Sequence, residues 1–519
     1  MREEPAEDNQ TMILDLDPEI NIYYVQTLAL IFFPGEKFSP DEPETPETPH
    51  LTVRVKRLED RYTAVAVLRL GDKVSEAERE GLFTPEQYPN GHPPISADHA
   101  RKIAVGAAIF AVCSAIRSYR PSWGMLTGVR PSKVAMSFLD EGMSKTRVKK
   151  ILNSEYLVIP KKASLAIDVA MNERRLVGEY DPRDCSVYIS IPFCPTRCEY
   201  CSFVSYTSKR LLSLIPEYLV RLCDEIREMF RRIHSLGLRV HTVYVGGGTP
   251  TTLTADELRI LLSTISEGVD VSTLREFTVE CGRPDTINKE KLAVIASFGV
   301  TRISVNPQSL SEEVLRGIGR SHSVEEFYRA YDVARNAGIP VINTDLIAGL
   351  PGDSFKTFSA TMDKILELRP ENVTVHTFSV KRSADILKRG EGIYSMRGGD
   401  VGKCVDYSQI RAQQEGYRPY YMYRQKNTVG NFENVGFAEE GTEGLYNIFM
   451  MEEIHSIFAA GAGAVTKLVE NKVDPVTGEI KKTIRRLFNP KYPYEYLRDD
   501  SLAEQIAEVE AFYNDFPKA

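Results

Sequence analysis

The sequence predicts an α/β protein built around a partial (β/α)6 barrel, with an α+β domain before the barrel and a mostly helical section after it. Three observations support this prediction. The 519-residue chain is long enough for two to four domains. Its middle part, about residues 183–380, alternates short apolar runs with amphipathic helices, as parallel strands joined by crossovers do. A cluster of three cysteines directly follows the first of these apolar runs.

Residues 1–175 form the first predicted section, an α+β domain to which the sequence assigns no role. The run at residues 20–33 is apolar throughout and ends at Pro34-Gly35, which favours a strand. A Pro-, Glu- and Thr-rich segment, residues 38–50, is expected to be a surface loop. Two further strands and one long helix are predicted at residues 51–58, 62–70 and 97–119.

The middle section supplies the six βα units of the predicted barrel. Its strands are expected at residues 187–191, 242–245, 276–280, 302–305, 341–347 and 372–377, with helices at residues 215–233 and 355–368 among those between them. Six units give an incomplete barrel rather than the closed form with eight. The functional groups should lie at the carboxyl ends of the strands, because the connecting loops there carry them.

The last section, residues 381–519, is expected to be mostly helical and to cover a substrate. It is rich in tyrosine at residues 417–425 and in glycine at residues 459–467. Arg418, Arg424 and Lys426 stand among those tyrosines, which would suit a flat ligand with acidic arms. The alternative is a surface loop with core tyrosines. Residues 432–453 are a candidate for closing over the site and excluding water.

Composition limits the function classes. The formal net charge is −8, which gives no electrostatic footprint for nucleic acid. The acidic N-terminus lacks the pattern of a secretory signal, and the longest apolar run, residues 103–116, is too short to span a bilayer. Eight cysteines without a signal favour metal or redox use in a reducing compartment. We therefore expect a cytoplasmic protein with no membrane span.

Cys194, Cys198 and Cys201 have the spacing C-x3-C-x2-C. Three thiolates on one tight loop can bind three irons of a cubane iron–sulfur cluster and leave the fourth iron open for a ligand. A structural zinc site is the first alternative, and Cys185 is the nearest candidate for its fourth ligand. Disulfides are the second alternative, and a reducing compartment disfavours them.

Further motifs follow the predicted strands. Residues 246–250, GGGTP, come after the second strand, and their glycines let the backbone approach a ligand closely. Polar side chains follow the third, fourth and fifth strands, and such groups are costly to bury without partners. They are Glu280, Gln308, Arg320 and Asp345. A zwitterionic ligand would offer a partner to each.

Together the motifs YISIPFCPTRCEYCSF, GGGTP, RISVNPQS, GRSH and NTDLIAGLPG resemble the radical S-adenosylmethionine (SAM) superfamily, in the branch of oxygen-independent coproporphyrinogen III oxidase. Four more motifs resemble the HemZ type of coproporphyrinogen dehydrogenase within that branch: LTGVRPSKV, TVECGRPDTI, YRQKNTVGNFENVGF and IFAAGAGAVTK. The resemblance implies a radical SAM barrel with two cofactors, a 4Fe–4S cluster and SAM.

The resemblance also implies roles for individual residues. The cluster ligands would be Cys194, Cys198 and Cys201. The SAM contacts would be Tyr188, Tyr200, Gly247, Gly248, Thr249, Glu280, Gln308, Arg320 and Asp345. The sequence departs from the oxidase pattern at Phe203, where the oxidase has a further cysteine. Phenylalanine at this position is shared by the haem-chaperone branch and by the HemZ branch.

The implied reaction converts two propionates of coproporphyrinogen III to vinyl groups with loss of CO2, giving protoporphyrinogen IX. It requires one-electron reduction by a flavodoxin or ferredoxin. Two alternatives share the same motifs: a haem chaperone, which is not an enzyme, and a haem-degrading radical SAM methyltransferase. Phe203 is compatible with the chaperone, and only the products distinguish the methyltransferase.

Overall fold

The computed structural model describes residues 11–38, 45, 47–83, 96–178, 181–201, 205–379, 399–425, 429–473 and 480–514. The chain divides into two compact units. The first comprises Met1–Met171, Glu391–Gly402 and Met422–Glu433. The second comprises Asn172–Gly390, Lys403–Tyr421 and Asn434–Ala519. Each unit contains segments that are distant in sequence, so neither is a continuous stretch of the chain.

The first unit contains a four-stranded sheet in the order β1-β2-β3-β4. Its strands are β1 (Ile13–Leu16), β2 (His50–Arg57), β3 (Arg61–Leu70) and β4 (Lys73–Leu82). The first pair is parallel and the other two are antiparallel. The helices that follow or interrupt these strands are α1 (Ile22–Phe32), α2 (Ala97–Arg117), α3 (Pro131–Asp140), α4 (Lys145–Ser154) and α5 (Pro160–Val177), of which α5 runs on into the second unit.

Helix α2 forms the centre of this unit's core. It packs against β3 and β4, and most of its small apolar side chains are buried. It is the one helix of the described residues with the length and composition to cross a membrane, and 56% of its apolar window is buried inside the protein. Such burial is the environment of a core helix.

The prediction of a strand at residues 20–33 is wrong, because this segment forms helix α1. The Asn21 side chain accepts a hydrogen bond from the Tyr24 backbone N–H and caps the helix. The buried side chains, Val25, Leu28, Ala29 and Phe32, have helical spacing. Strand β4 was not predicted, since its sequence KVSEAEREGL is largely charged and its side chains are mostly exposed.

The second unit is organised around an eleven-stranded sheet in the order β11-β12-β10-β9-β8-β7-β6-β5-β13-β14-β15. The strands are β5 (Asp184–Ile191), β6 (Arg239–Gly247), β7 (Glu276–Glu280), β8 (Arg302–Ser304), β9 (Val341–Ala348), β10 (Asn372–Thr377), β11 (Arg418–Arg424), β12 (Glu433–Ala438), β13 (Ser456–Ala460), β14 (Val465–Val473) and β15 (Ile480–Phe488). Strands β5 to β10 are parallel, which confirms the predicted partial barrel.

Helices follow the barrel strands. They are α6 (Lys209–Leu212), α7 (Ile215–Ser235), α8 (Ala255–Gly268), α9 (Lys289–Ser297), α10 (Glu312–Gly317), α11 (Val324–Asn336), α12 (Phe355–Glu367), α13 (Gly399–Gln414), α14 (Leu445–Glu452), α15 (Pro493–Tyr496) and α16 (Leu502–Asn514). Helices α8 and α11 begin with capping boxes, in which Thr254 pairs with Glu257 and Ser323 with Glu326. Such caps satisfy backbone groups at the helix start and so fix where the preceding loop ends.

The C-terminal section differs from the mostly helical prediction. Besides its helices it contributes five strands, β11 to β15, to the barrel sheet. Strand β13 pairs in parallel with β5 on the side away from β6, so it adds a seventh parallel strand. The alternation of apolar and polar residues is weak along these segments. They form strands because they pair with neighbouring strands of the sheet.

Candidate active site

The candidate site lies at the carboxyl ends of the parallel strands, as predicted. Residues 192–201 follow β5, residues 248–250 follow β6, and residues 281–285 follow β7. Parallel pairing aligns these ends at one edge of the sheet. Because alternate side chains of a strand face opposite sides, Glu280, Ser304 and Asn343 lie on the same face of neighbouring strands, one beside the next.

The cysteine loop is held by backbone hydrogen bonds to its neighbours. The Cys194 N–H donates to the Tyr206 carbonyl at 3.1 Å, and the Thr249 N–H donates to the Phe193 carbonyl at 2.8 Å. The Cys201 N–H donates to the Cys198 carbonyl at 3.0 Å, which closes a turn between these two cysteines. The loop is therefore shaped before any ligand arrives.

Each of the three cysteine sulfurs has a polar neighbour. The Sγ of Cys194 lies 3.2 Å from the Thr249 hydroxyl, and the Sγ of Cys201 lies 4.0 Å from the Ser205 hydroxyl. A guanidinium nitrogen of Arg283 lies 3.6 Å from the Sγ of Cys198. Hydrogen bonds to ligand sulfurs are one of the means by which proteins tune iron–sulfur clusters.

The three thiols share one neighbourhood without converging on a point. Burial raises the pKa of Cys194 to about 11, and the nearby Cys201 and Cys198 contribute in the same direction. Over the residues that the structure describes, no group of three or more His, Cys, Asp or Glu side chains is placed to hold a single metal ion. Thiolates that each bind a different iron of a cubane need no such convergence.

The glycines of residues 246–248 make room that a side chain would fill. Gly247 has a φ of +109°, a conformation that L side chains rarely adopt. A Cβ on Gly248 would lie 2.6 Å from the Phe193 carbonyl oxygen and 3.0 Å from the Sγ of Cys194. A Cβ on Gly246 would lie 3.1 Å from the Glu280 carboxylate. The backbone of this loop therefore lies close to both Cys194 and Glu280.

Aromatic rings line the barrel interior beneath Glu280. Tyr188 and Tyr244 occupy paired positions on β5 and β6, with their rings stacked at 6.1 Å. Tyr446, at the start of α14, stacks on Tyr244 at 4.5 Å and on Tyr188 at 6.2 Å. The Glu276 carboxylate accepts from the Leu445 N–H at 2.7 Å and so anchors that helix start at the amino end of β7. These rings close the interior below the site.

Asp345 lies in a network of polar side chains. Asn306 and Asn343 donate to its carboxylate at 2.9 and 2.7 Å, and the Nε2 of His376 lies 3.7 Å away. Burial raises the pKa of Asp345, but the hydrogen bond and charge of His376, together with hydrogen bonds from Asn343 and Thr374, outweigh it and hold the pKa below the ordinary value. Asp345 is therefore a fixed negative charge in the interior.

Gln308 and Arg320 carry buried polar atoms that the protein leaves unpaired. Gln308 has a φ of +67°, and its side-chain oxygen has no partner among the described residues. The Arg320 Nε likewise has none there, while its other nitrogens contact the Tyr200 side chain and lie 3.4 to 3.5 Å from the carbonyls of Gly282 and Asn306. Buried unpaired groups and a strained backbone are typical of a site built for a ligand.

Tyr200 stands beside the cluster loop and the Arg320 side chain. Burial raises the pKa of its phenol, and the Arg320 guanidinium acts in the opposite direction. Tyr200, Arg320 and Cys198 therefore lie close together. Cys194, Cys198, Cys201, Tyr200 and the residues of the GGGTP motif follow strand ends, and Arg320 contacts the Gly282 and Asn306 carbonyls beyond β7 and β8, whereas Tyr188 lies within β5.

The sequence missed several residues of this region. Arg283 is 3% exposed and contacts the cysteine loop, and it lies within the motif TVECGRPDTI. Asn306, Asn343 and His376 surround Asp345, and Tyr244 donates to Glu280. Their position in the sequence could have identified them, because each lies on a barrel strand or just after one.

The loop after β13 forms another wall of the site region. The Ala462 N–H donates to the Tyr218 hydroxyl at 2.9 Å, and the Ser190 hydroxyl donates to the Ala462 carbonyl at 2.9 Å. The Gly461 N–H donates at 3.0 Å to the buried carboxylate of Glu225, which Asn489 also contacts. The glycine-rich segment of the C-terminal section is thus fastened to the end of β5.

Three alternatives from the sequence can be decided. Cys185 pairs with Val240 and Ser456 at the amino end of β5, so about 20 Å of strand separates it from the cysteine loop, and it is not a fourth metal ligand. All eight cysteines are free thiols, so no pair of them forms a disulfide in this structure. Residues 432–453 include β12 and α14, so they belong to the sheet and the barrel interior. They do not form a lid.

The tyrosine-rich segment is mainly core, as its alternative interpretation proposed. Tyr417, Tyr420 and Tyr421 are buried. Arg424 is buried as well and donates to the Leu126 carbonyl at 2.5 Å, while Arg418 is exposed and pairs with Glu440 at 3.2 Å. The proposed cationic surface around Arg424 is therefore a wrong prediction. Phe203 and Lys426 lie outside the described residues.

The donor set fits the two cofactors of a radical SAM protein. Several groups lie around the carboxyl ends of the parallel strands. They are three thiols with polar neighbours, a glycine cradle that a Cβ would fill, and buried unpaired atoms of Gln308 and Arg320. The cysteines offer soft ligands to iron, and the carboxylates and amides offer partners to a zwitterion. Nothing in this arrangement conflicts with a cluster and SAM side by side.

Comparisons with known proteins agree with this geometry. The family model of the radical SAM superfamily matches residues 188–365. The oxygen-independent coproporphyrinogen-III oxidase-like protein HemZ of Bacillus subtilis is 39% identical over 72% of this chain and 74% of its own. The haem chaperone HemW of the same organism is 28% identical over 62% of this chain and 81% of its own.

Among solved structures, the coproporphyrinogen III oxidase HemN of Escherichia coli matches with a TM-score of 0.48 and 21% identity, over 65% of this chain and 73% of that one. The chain belongs to the radical SAM superfamily and, within it, to the family of HemZ. Its cofactors are accordingly a 4Fe–4S cluster and SAM.

Proposed function

We propose that this protein is an oxygen-independent coproporphyrinogen III dehydrogenase, which converts two propionate side chains of its substrate to vinyl groups with loss of two CO2. The assignment of coproporphyrinogen III as the substrate is supported by one observation, the similarity to HemZ, which is named an oxygen-independent coproporphyrinogen-III oxidase-like protein. The same proposal places the protein in haem biosynthesis in the cytoplasm, with a flavodoxin or ferredoxin as the electron donor.

When bound, the cluster and SAM supply a one-electron reductive cleavage that produces a hydrogen-abstracting carbon radical. The protein's own residues bind and orient these groups. We propose that Cys194, Cys198 and Cys201 bind the cluster. We propose SAM contacts for Tyr188, Tyr200, Gly247, Gly248, Thr249, Glu280, Gln308, Arg320 and Asp345. These assignments are supported by the placement of the residues on or near the parallel strands of one sheet.

The charges of the interior match a ligand of mixed charge. Asp345 is a fixed anion, and Glu280 is a second carboxylate whose charge depends on pH near neutrality. Arg320 supplies a buried cation next to Tyr200. A methionine moiety presents an ammonium and a carboxylate, so each group has a complementary partner. The stacked tyrosines below would keep water from the reacting centre.

A second candidate is a haem chaperone, which the HemW relatives favour. The two functions predict different results when the same protein preparation is assayed. The dehydrogenase must cleave SAM in step with substrate conversion. The chaperone binds haem tightly and turns SAM over little.

The deciding experiment is an anaerobic assay of the cluster-reconstituted protein with SAM, reductant and coproporphyrinogen III. Mass spectrometry of the oxidised products should show the loss of two CO2 units, with 5′-deoxyadenosine formed in step. The variant Cys198→Ala should bind less iron and form neither product, whereas Cys185→Ala, at the other end of β5, should retain both.

Other outcomes would redirect the assignment. SAM cleavage without vinyl formation would reject the proposed substrate. A Soret band from tightly bound haem, with haem transfer and little 5′-deoxyadenosine, would support the chaperone. A methylated linear tetrapyrrole from haem would support the haem-degrading methyltransferase.

A further inference from the structure

Arg283 is a buried arginine that contacts the cysteine loop from the neighbouring strand end. Its side chain is 4% exposed, and the residue follows β7 by three positions. One guanidinium nitrogen donates to the Thr196 carbonyl at 3.0 Å, and the other donates to the Thr196 hydroxyl at 2.8 Å. Thr196 lies midway between Cys194 and Cys198, so Arg283 fastens the tightest part of the loop.

The same guanidinium is aimed at a cluster cysteine. The nitrogen that contacts the Thr196 carbonyl also lies 3.6 Å from the Sγ of Cys198, within hydrogen-bonding distance for sulfur. Thr249 and Ser205 stand in the corresponding positions beside Cys194 and Cys201, but both are neutral hydroxyls. Arg283 is thus the charged member of the three sulfur neighbours.

Two further residues hold Arg283 in this orientation. The carboxylate of Asp285 accepts from Arg283 at 3.2 and 3.1 Å, in a two-pronged ion pair. The Ser321 hydroxyl accepts from Arg283 at 2.5 Å and donates to Asp285 at 2.8 Å. Ion pairs with this fork geometry fix direction as well as charge. The guanidinium therefore has little freedom to turn away from the sulfur.

The charge of this group acts on the redox step. A cluster bound by three thiolates gains one more negative charge when it is reduced, and the low dielectric of a buried site strengthens its interaction with a nearby cation. A guanidinium beside Cys198 favours the reduced form. The Asp285 carboxylate opposes this effect from the far side of the guanidinium. The net field at the cluster depends on both residues.

We propose that Arg283 is a positioning and tuning residue of the cluster. Held by Asp285 and Ser321, it fixes the cysteine loop through Thr196 and makes the cluster easier to reduce through its contact with Cys198. The inference rests on the proposed binding of the cluster by the three cysteines. It does not depend on which tetrapyrrole, if any, the protein acts on.

The test is a redox titration of reconstituted variants, followed by electron paramagnetic resonance without tetrapyrrole substrate. Arg283→Met removes the cation, and the midpoint potential should become more negative. Asp285→Asn removes the opposing anion and leaves the arginine, and the potential should become more positive. Ser321→Ala removes a neutral hydroxyl of the same network and changes no charge, so its potential should shift less than that of either charge variant.

Shifts of opposite sign are the result that a merely structural role would not produce. Equal potentials in the unmodified protein and Asp285→Asn would overturn the tuning role, even if Arg283→Met failed to retain iron. Arg283→Lys keeps the charge but cannot make all the contacts with Thr196 and Asp285. It should lose iron to a chelator faster than the unmodified protein, and equal loss would overturn the positioning role.

The two proposals fail in distinguishable ways. Cluster potentials that shift as expected, in a protein that forms no vinyl product, would leave the role of Arg283 intact and reject the substrate. Normal vinyl formation with unshifted potentials would do the reverse.

Discussion

The hydroxyl of Tyr244 donates a hydrogen bond to the carboxylate of Glu280, which ends the neighbouring strand β7. Burial raises the pKa of Glu280 to about 7. The hydrogen bonds from Tyr244 and the Gly247 N–H lower it, whereas the charge of Asp345 raises it. A carboxylate proposed to face the SAM ammonium thus changes its charge in the neutral range.

We expect SAM affinity to rise with pH through about 7, because the ionised Glu280 attracts the ammonium of SAM and the protonated form does not. Isothermal titration of SAM into the reconstituted protein between pH 6 and pH 8 measures this. Glu280→Gln should bind SAM more weakly at pH 8 and should lose most of the pH dependence. A variant with the unmodified pH profile would exclude Glu280 as the titrating group.

The same carboxylate should make the SAM-free protein less stable at higher pH. Its folded-state pKa lies above the ordinary value of 4.5, so the fold binds the proton more tightly than the unfolded chain does. This contribution is fully present below pH 4.5 and is lost as pH rises through about 7. The fall in melting temperature from pH 5 to pH 8 should be smaller in Glu280→Gln, and an identical fall would count against the raised pKa.

Gln308 combines backbone strain with an unpaired side-chain oxygen. Gln308→Gly should be more stable than Gln308→Ala by about 1 kcal/mol, because glycine adopts a positive φ without the steric cost of a Cβ. Both variants remove the amide, so both should bind SAM more weakly and to a similar extent. Urea unfolding and SAM titration separate the two effects. Unchanged SAM binding in both would show that the amide has no role in the site.

Gly248→Ala should displace the cysteine loop. Its Cβ would lie 2.6 Å from the Phe193 carbonyl oxygen, which is backbone, and 3.0 Å from the Sγ of Cys194, a proposed cluster ligand. We expect the reconstituted variant to hold less iron. The matched control is Gly317→Ala, whose Cβ would meet only the Pro351 carbonyl oxygen at 4.0 Å. Equal iron content in both variants would show that the loop tolerates the methyl group.

The first unit buries an ion pair between Lys162 and Glu433 at 2.5 Å, with side chains 1% and 0% exposed. Lys162→Met should destabilise this unit by about 3–5 kcal/mol, because it leaves the Glu433 carboxylate buried without its cation. The Trp123 indole N–H donates to the same carboxylate at 2.8 Å. Trp123 is the only tryptophan of the chain, so its fluorescence reports urea unfolding of this unit.

The double variant Lys162→Met, Glu433→Leu tests the cause of that loss. Removing both charges should restore part of the stability, because the carboxylate is removed with its lysine partner, whereas the buried Arg424 then loses the nearby Glu433 anion. A double variant as unstable as Lys162→Met would mean that lost packing, rather than an unpaired charge, is responsible.

Local information in the sequence was sufficient for the barrel and the cysteine loop. The apolar runs of β5 to β10 are buried by helices, so they read as short continuous hydrophobic segments whatever their neighbours are. The spacing of Cys194, Cys198 and Cys201 fits within one loop, and GGGTP within the next. Because parallel strands align their carboxyl ends, these short motifs also implied a common site.

Local sequence patterns gave wrong predictions for segments whose conformation depends on packing against the rest of the protein. The apolar run at residues 20–33 suits a strand or a helix, and packing in the first unit's core selects α1. Strand β4 is charged and forms because it pairs with β3. For the tyrosines at residues 417–421 and for the buried Arg424, the sequence does not distinguish a position in the core from one at the surface.

The sequence by itself therefore determined the family, the barrel and the cysteine loop, since these rest on residues close together in the chain. Only the tertiary structure placed Arg283 against Cys198, Tyr446 on Tyr244, and Cys185 at the far end of its strand. These contacts join residues that are distant in the chain or depend on strand direction. Long-range pairing, rather than local preference, decides them.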